Sequence, residues 1–184
     1  YLINALSEPA ASGLAKPGDF YCKQTGENFG SEIEVVILNI GESASFIDKA
    51  SSQLICYSTN LKTNKDGQAC HKCPHDVYWA DWGTKDAHKV PECKASIDFV
   101  LLLKGDKTPM VFSFRKTSYK AGQALVNLVA GNPVKPLPFG ESYVLTTVQD
   151  KNDAGQKYFT VNNQIKKQAL GKETMEAIIP YFKM

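Results

Sequence analysis

Ala95-Ser96-Ile97-Asp98-Phe99-Val100-Leu101-Leu102-Leu103, the turn Lys104-Gly105-Asp106-Lys107, and Met110-Val111-Phe112-Ser113-Phe114-Arg115 decide how this chain folds. Two runs rich in β-branched, aromatic and aliphatic residues, joined by a short glycine-bearing turn, read as a hairpin. Side chains alternate across a strand, so Phe112 and Phe114 share one face while Ser113 and Arg115 take the other. Paired aromatics on one strand face fill a core. A helix follows directly. Thr117 or Ser118 suits its N-cap, Ala121, Leu125, Leu128 and Val129 recur at helical spacing, and Gly131-Asn132-Pro133 ends it.

Outward from that hairpin the pattern remains one of strands. Ile33-Glu34-Val35-Val36-Ile37-Leu38-Asn39-Ile40 reads as a long strand, Gly41 as a break, and Ala44-Ser45-Phe46-Ile47 as a second strand. Leu54-Ile55-Cys56-Tyr57 is a short strand. Past the Pro-rich connector 133–138, Ser142 to Val148 and Lys157 to Val161 form another hairpin around Asp150-Lys151-Asn152-Asp153-Ala154-Gly155. Lys172 to Met184 carries Met175, Ile178, Ile179 and Phe182 and reads as a short amphipathic helix disturbed by Pro180. Three or more strands, a helix, then two strands is the order of the OB-fold, a small Greek-key barrel. The expectation is a mainly β, OB-like domain over 1–184. It has an N-terminal arm over 1–18, an insertion over 56–93 and a C-terminal helix over 171–184. An α+β sandwich with a zinc ribbon is the alternative.

The insertion holds four cysteines, Cys56, Cys70, Cys73 and Cys93. Cys70 and Cys73 form a CxxC knuckle inside Gly67-Gln68-Ala69-Cys70-His71-Lys72-Cys73-Pro74, with 13 and 19 residues separating it from the outer pair. Two residues between thiolates aim both sulfurs at one ion, and a tetrahedral site takes two more soft ligands. The segment is polar and poor in core residues, so a structural Zn2+ would supply the cohesion it lacks. A redox CxxC should open a helix after a buried strand, whereas this one follows the turn Asn64-Lys65-Asp66-Gly67. His71, His75 and His88 lie in the same segment and are alternative ligands. Cys22 is left over as a reduced thiol.

Composition narrows the classes. With 184 residues, 43% of them hydrophobic, the chain can bury one sizeable core. No apolar run reaches the ~18 residues of a membrane span. A net charge of +2 leaves the partner open. Reduced thiols beside a metal knuckle point to a cytosolic setting. Neither HExxH nor an HxE ahead of a PCxxC is present, and four thiolates would leave zinc no open position for water. Asp48, Asp98, Glu141 and Asp150 are scattered, with no spacing that would unite them on the two metal ions of a nuclease. The chain is therefore expected to bind and not to catalyse.

An OB groove suits single-stranded nucleic acid if it offers aromatic faces to bases and cations to phosphates. The candidates are Tyr57, Tyr78, Trp79 and Trp82 in and beside the insertion. Arg115, Lys116, Tyr119 and Lys120 join them at the strand-to-helix junction, and Tyr143 and Tyr158 on the last hairpin. Cys56-Tyr57-Ser58, Gly67 to Pro74, Pro91-Glu92-Cys93 and Phe114-Arg115-Lys116-Thr117-Ser118 together resemble bacteriophage replication proteins that are zinc-bearing, OB-fold single-stranded DNA-binding proteins. The resemblance spans roughly residues 30–160. The T4-type helix-destabilising protein uses one histidine and three cysteines, and the T7-type proteins lack zinc; this chain offers four cysteines. The resemblance implies sequence-tolerant binding of single-stranded DNA in replication or recombination, in the host cytoplasm. It also implies an acidic tail that recruits polymerase or helicase, expected beyond Met184. A zinc-containing protein–protein adaptor is the alternative.

Overall fold

A computed structural model describes residues 8–48, 50–51, 53–73, 93–130, 140–152 and 154–182. Strand is the predominant secondary structure among the described residues. The described elements run α1 (Glu8–Ala11), β1 (Phe20–Cys22), β2 (Glu27–Gly30), β3 (Glu32–Ile47), β4 (Leu54–Ser58), β5 (Lys94–Leu103), β6 (Met110–Arg115), α2 (Tyr119–Ala130), β7 (Glu141–Lys151), β8 (Lys157–Val161), β9 (Lys166–Ala169) and α3 (Lys172–Phe182). Two compact units emerge, Tyr1–Ile40 with Phe99–Met184, and Gly41–Asp98.

In the first unit a strongly curled, antiparallel half-barrel forms, OB-like in its order. The strand path is β6-β5-β3-β7-β8, with β9 on β7. Numbered as β3, β5, β6, β7, β8, the strands follow the path third-second-first-fourth-fifth, and α2 stands between the third and the fourth. Ile33 faces Leu145 and Val35 faces Tyr143 across the β3–β7 pair. Ile33, Val35 and Ile37 on β3, Phe99 and Leu101 on β5, and Phe112 and Phe114 on β6 are buried at every second position, the period a strand imposes. Phe114 meets Phe99 and Phe112 edge-on, with centroids 5.2 and 4.9 Å apart. Ala121, Gly122, Leu125 and Val129 of α2 are buried; Leu128, expected on that face, is exposed.

The opposite face of β3 and β5 is covered as well. Val36 and Leu102 form an apolar cluster with Leu170 and Ile178, against which Leu38, Met175 and Tyr181 pack. α3 is thus docked by its apolar stripe, and the Tyr181 hydroxyl donates to the Lys107 carbonyl. Gly18 permits a further close approach. Its φ is +97°, and a Cβ there would fall 2.7 Å from the Phe159 ring, so backbone freedom and space both require glycine.

Several expectations need correcting. β3 does not break at Gly41 but continues as one strand of 16 residues, because β4 pairs with its distal half from Ala44↔Ser58 to Ile47↔Leu54. That pairing lies in the second unit. Ser118, just ahead of α2, ends a 3₁₀ turn (Lys116–Ser118), and its buried hydroxyl lies 3.2 Å from the Thr160 hydroxyl. The hairpin β1–β2 and the strand β9 were not anticipated.

Candidate functional site

The cysteine segment is built from the turn upward. Asn64 Oδ1 accepts from the Asp66 and Gln68 N–H groups at 3.0 and 2.8 Å, a side chain substituting for backbone in a tight turn. Thr63 and Ala69 bridge across it, and the Cys70 N–H donates to the Lys62 carbonyl at 2.8 Å. Residues Cys70–Lys72 make a 3₁₀ turn closed by the Cys73 N–H on the Cys70 carbonyl at 3.0 Å. Burial pushes the Cys56 thiol up; the neighbouring Cys73 and Cys70 charges, a hydrogen bond with Cys73, and Asp66 push the same way. β4 therefore delivers Cys56 to the CxxC turn, and three of the four expected thiols share one neighbourhood. Cys93 is half-buried and immediately precedes β5, the strand that leaves the segment.

Soft thiolates are the donor set zinc prefers. As placed, however, no three His, Cys, Asp or Glu side chains among the described residues converge closely enough to hold an ion. His75 and His88, like Tyr78, Trp79 and Trp82, lie outside the described residues. Cys22 belongs to β1, in the first unit. Hydrogen bonds from Thr25, side chain first and then backbone, hold its thiol below the ordinary range against the opposing effect of burial.

The aromatic and cationic candidates are distributed as follows. Tyr57, in the second unit, is 44% exposed on β4, beside the exposed Ile55. In the first unit Arg115 ends β6 with its side chain exposed, on the same face as Val111 and Ser113. Lys116 follows in the 3₁₀ turn, and Tyr119 and Lys120 open α2, half-buried and exposed respectively. Tyr143 must be withdrawn from any base-stacking surface. Its exposure is 0%, its hydroxyl donates to Glu141 Oε2 at 3.1 Å, and burial, followed by that carboxylate, pushes its phenol well up. Tyr158 is half-buried, and its hydroxyl donates to Asp150 Oδ2 at 3.0 Å.

The four scattered carboxylates all have local partners. Asp98 accepts from Ser43 and Ser96, Asp48 accepts from Ser51, Glu141 bridges Lys167 and Tyr143, and Asp150 holds Tyr158. Sequence reading did not single out Glu34. Its carboxylate, on β3, meets Lys104 Nζ of the turn after β5 at 2.8 Å and the Ser142 hydroxyl of β7 at 2.5 Å. Burial would raise its pKa, but the Lys104 and Ser142 hydrogen bonds outweigh that and hold it below the usual glutamate range. A depressed folded-state pKa contributes stability above the unfolded value and loses it as pH falls through the folded value. Glu34→Gln should accordingly flatten the acid limb of a stability-versus-pH curve below about pH 4.5. An unaltered acid limb in thermal melts would show that the pair contributes nothing.

No helix among the described residues is long and apolar enough to cross a membrane. A family model described as Pam3 phage gp34-like protein matches residues 77–177. No curated protein and no solved structure matches the chain.

Proposed function

The chain belongs to the Pam3 phage gp34-like protein family, and from that premise we propose that it binds single-stranded DNA, with little regard to sequence, during phage DNA replication or recombination. The family description carries phage origin and no activity. What supports the binding reading is the strand order of the half-barrel, β6-β5-β3-β7-β8 with α2 inserted after β6. In that order the second and third strands and the connections after the first and fourth are where OB-folds take oligonucleotides. Here those are β5, β6, the excursion after β3 and the β7–β8 hairpin.

Arg115 on the solvent face of β6 is assigned to phosphate. Tyr57, Tyr78, Trp79, Trp82 and Tyr119 are assigned to bases, and Lys116 and Lys120 add cations after the end of β6. A structural zinc held by Cys56, Cys70, Cys73 and Cys93 would fasten the excursion; it supplies cohesion and takes no part in a reaction. The setting is the host cytoplasm, and polymerase or helicase are the replication partners proposed.

Titrating the full chain with oligo(dT) tests this reading. Trp79 and Trp82 fluorescence should be quenched, and log K should fall linearly with log salt by roughly 0.7 per phosphate neutralised. Tyr57→Ala should lose about 1–3 kcal/mol per stacked base, roughly 5- to 150-fold in Kd. Arg115→Gln should weaken binding uniformly across sequences and flatten the salt slope. Absence of any shift at low salt removes the proposal.

One observation favours the adaptor alternative. Ile47, Leu54, Ile55 and Tyr57 are all exposed on the β3–β4 hairpin, an apolar set that a protein partner could cover. Tyr57→Ala that spares DNA binding but abolishes capture of polymerase or helicase would favour it.

A further inference from the structure

Lys151 and Lys157 face each other directly at the end of the β7–β8 hairpin. Asn152 and Gln156 close the hairpin beyond them with a backbone bond of 3.0 Å. The ladder alternates, so Lys151↔Lys157 is a pair of the kind that brings side chains closest. Like charges directly opposite one another on a strand pair are destabilising. Both side chains are exposed, and neither has an acidic partner among the described residues. Asp150, the nearest described carboxylate in sequence, lies on the other face by alternation. Its Oδ1 accepts the Lys151 N–H at 2.8 Å and its Oδ2 the Tyr158 hydroxyl at 3.0 Å. Asp153 lies outside the described residues.

The hairpin end is also tied down. Gln156 N–H donates to Asn152 Oδ1 at 2.8 Å, the two side-chain amides bond at 2.9 Å, and Gly155 takes φ +75°, the left-handed position that such short loops require. Two cations without an acidic partner among the described residues are thereby presented side by side at the connection between the fourth and fifth strands.

We propose that Lys151 and Lys157 form a two-pronged phosphate contact, which the β7–β8 hairpin presents to the backbone of the single strand. The inference rests on the DNA-binding reading above and deepens it. It assigns the hairpin tip to backbone charge, leaving bases to aromatic residues elsewhere. Bound phosphate would relieve the repulsion between the two ammonium groups, which the free protein has to tolerate.

The test compares wild type, K151Q/K157Q and K151R/K157R as full chains, by salt titration against oligo(dT) and by thermal melting. The glutamine pair should flatten the slope of log K against log salt by about 1.4, two contacts at roughly 0.7 each. Its melting temperature should stay equal or rise, because the like-charge pair has gone. The arginine pair should keep the wild-type slope. Wild-type binding with a parallel slope in K151Q/K157Q overturns the hairpin assignment and leaves the DNA reading intact. No wild-type binding at any salt overturns the DNA reading and this inference with it. Retention of polyglutamate by wild type but not by K151Q/K157Q, without DNA binding, would overturn both in favour of an acidic protein partner.

Discussion

Phe114→Ala should cost about 3–5 kcal/mol, the range for emptying an aromatic site in a core. The ring has 0% exposure and contacts Phe99 and Phe112 edge-on, so the loss combines apolar transfer with a void that its close-packed neighbours cannot wholly fill. In a chain of this length each kcal/mol shifts Tm by about 2–4 °C, so a fall of roughly 6–20 °C is expected. That is a large part of the 5–15 kcal/mol that typically holds a domain folded. Phe114→Leu should recover much of the difference. A Phe114→Ala melt within about 2 °C of wild type would place the ring outside the core.

Metal removal is expected to have the other large effect. Purified protein should carry one zinc per chain, and Cys56→Ser or Cys73→Ser should abolish it while Cys22→Ser leaves it unchanged. Structural zinc in small modules contributes about 10–16 kcal/mol of apparent binding free energy, which there is also folding free energy. Chelation should therefore melt the Gly41–Asp98 unit, with the Phe99–Met184 strands persisting in circular dichroism. The physical basis is the grouping of Cys56 with Cys70 and Cys73, whose charges add to burial in disfavouring ionisation of the Cys56 thiol. A divalent cation would reverse the sign of that interaction. Protein purified without chelator and holding no stoichiometric zinc would dispose of the idea.

The strands that bury one face could be read from the chain. Phe112 and Phe114, Val35 and Ile37, and the 3.6-residue spacing in α2 are patterns that burial itself writes into a sequence. β1 and β2, three and four residues long, are too short to show alternation. β9, Lys166-Lys167-Gln168-Ala169, is exposed throughout: it is held by its ladder to β7, and nothing apolar marks it. Gly41 reads locally as a break, but β3 runs on through it to the stretch Ala44–Ile47 that pairs with β4, so tertiary context overrides propensity there.

The candidate site was less legible. The knuckle is visible in Cys70 and Cys73 because two-residue spacing has a mechanical meaning. That Tyr143 faces inward and Tyr158 half outward depends on strand register, which a one-residue shift would invert. Glu34 looked like an ordinary solvent-side strand residue, and only the placement of Lys104 and Ser142 beside it gives it weight. Lys151 and Lys157 are six positions apart and become opposites only once the hairpin closes.

The β3–β7 pairing sets a timetable for birth on the ribosome. Val35 meets Tyr143, so the most β-prone stretch of the chain emerges long before the strand that shelters it. At about 5–20 residues per second, the nascent Ile33–Leu38 segment waits on the order of ten seconds for its partner. An apolar, proline-free window of that kind is prone to stick to its own copies meanwhile. Chains truncated at Ala130 should collect in the insoluble fraction, and their recovery as soluble monomer would show that this delay is harmless.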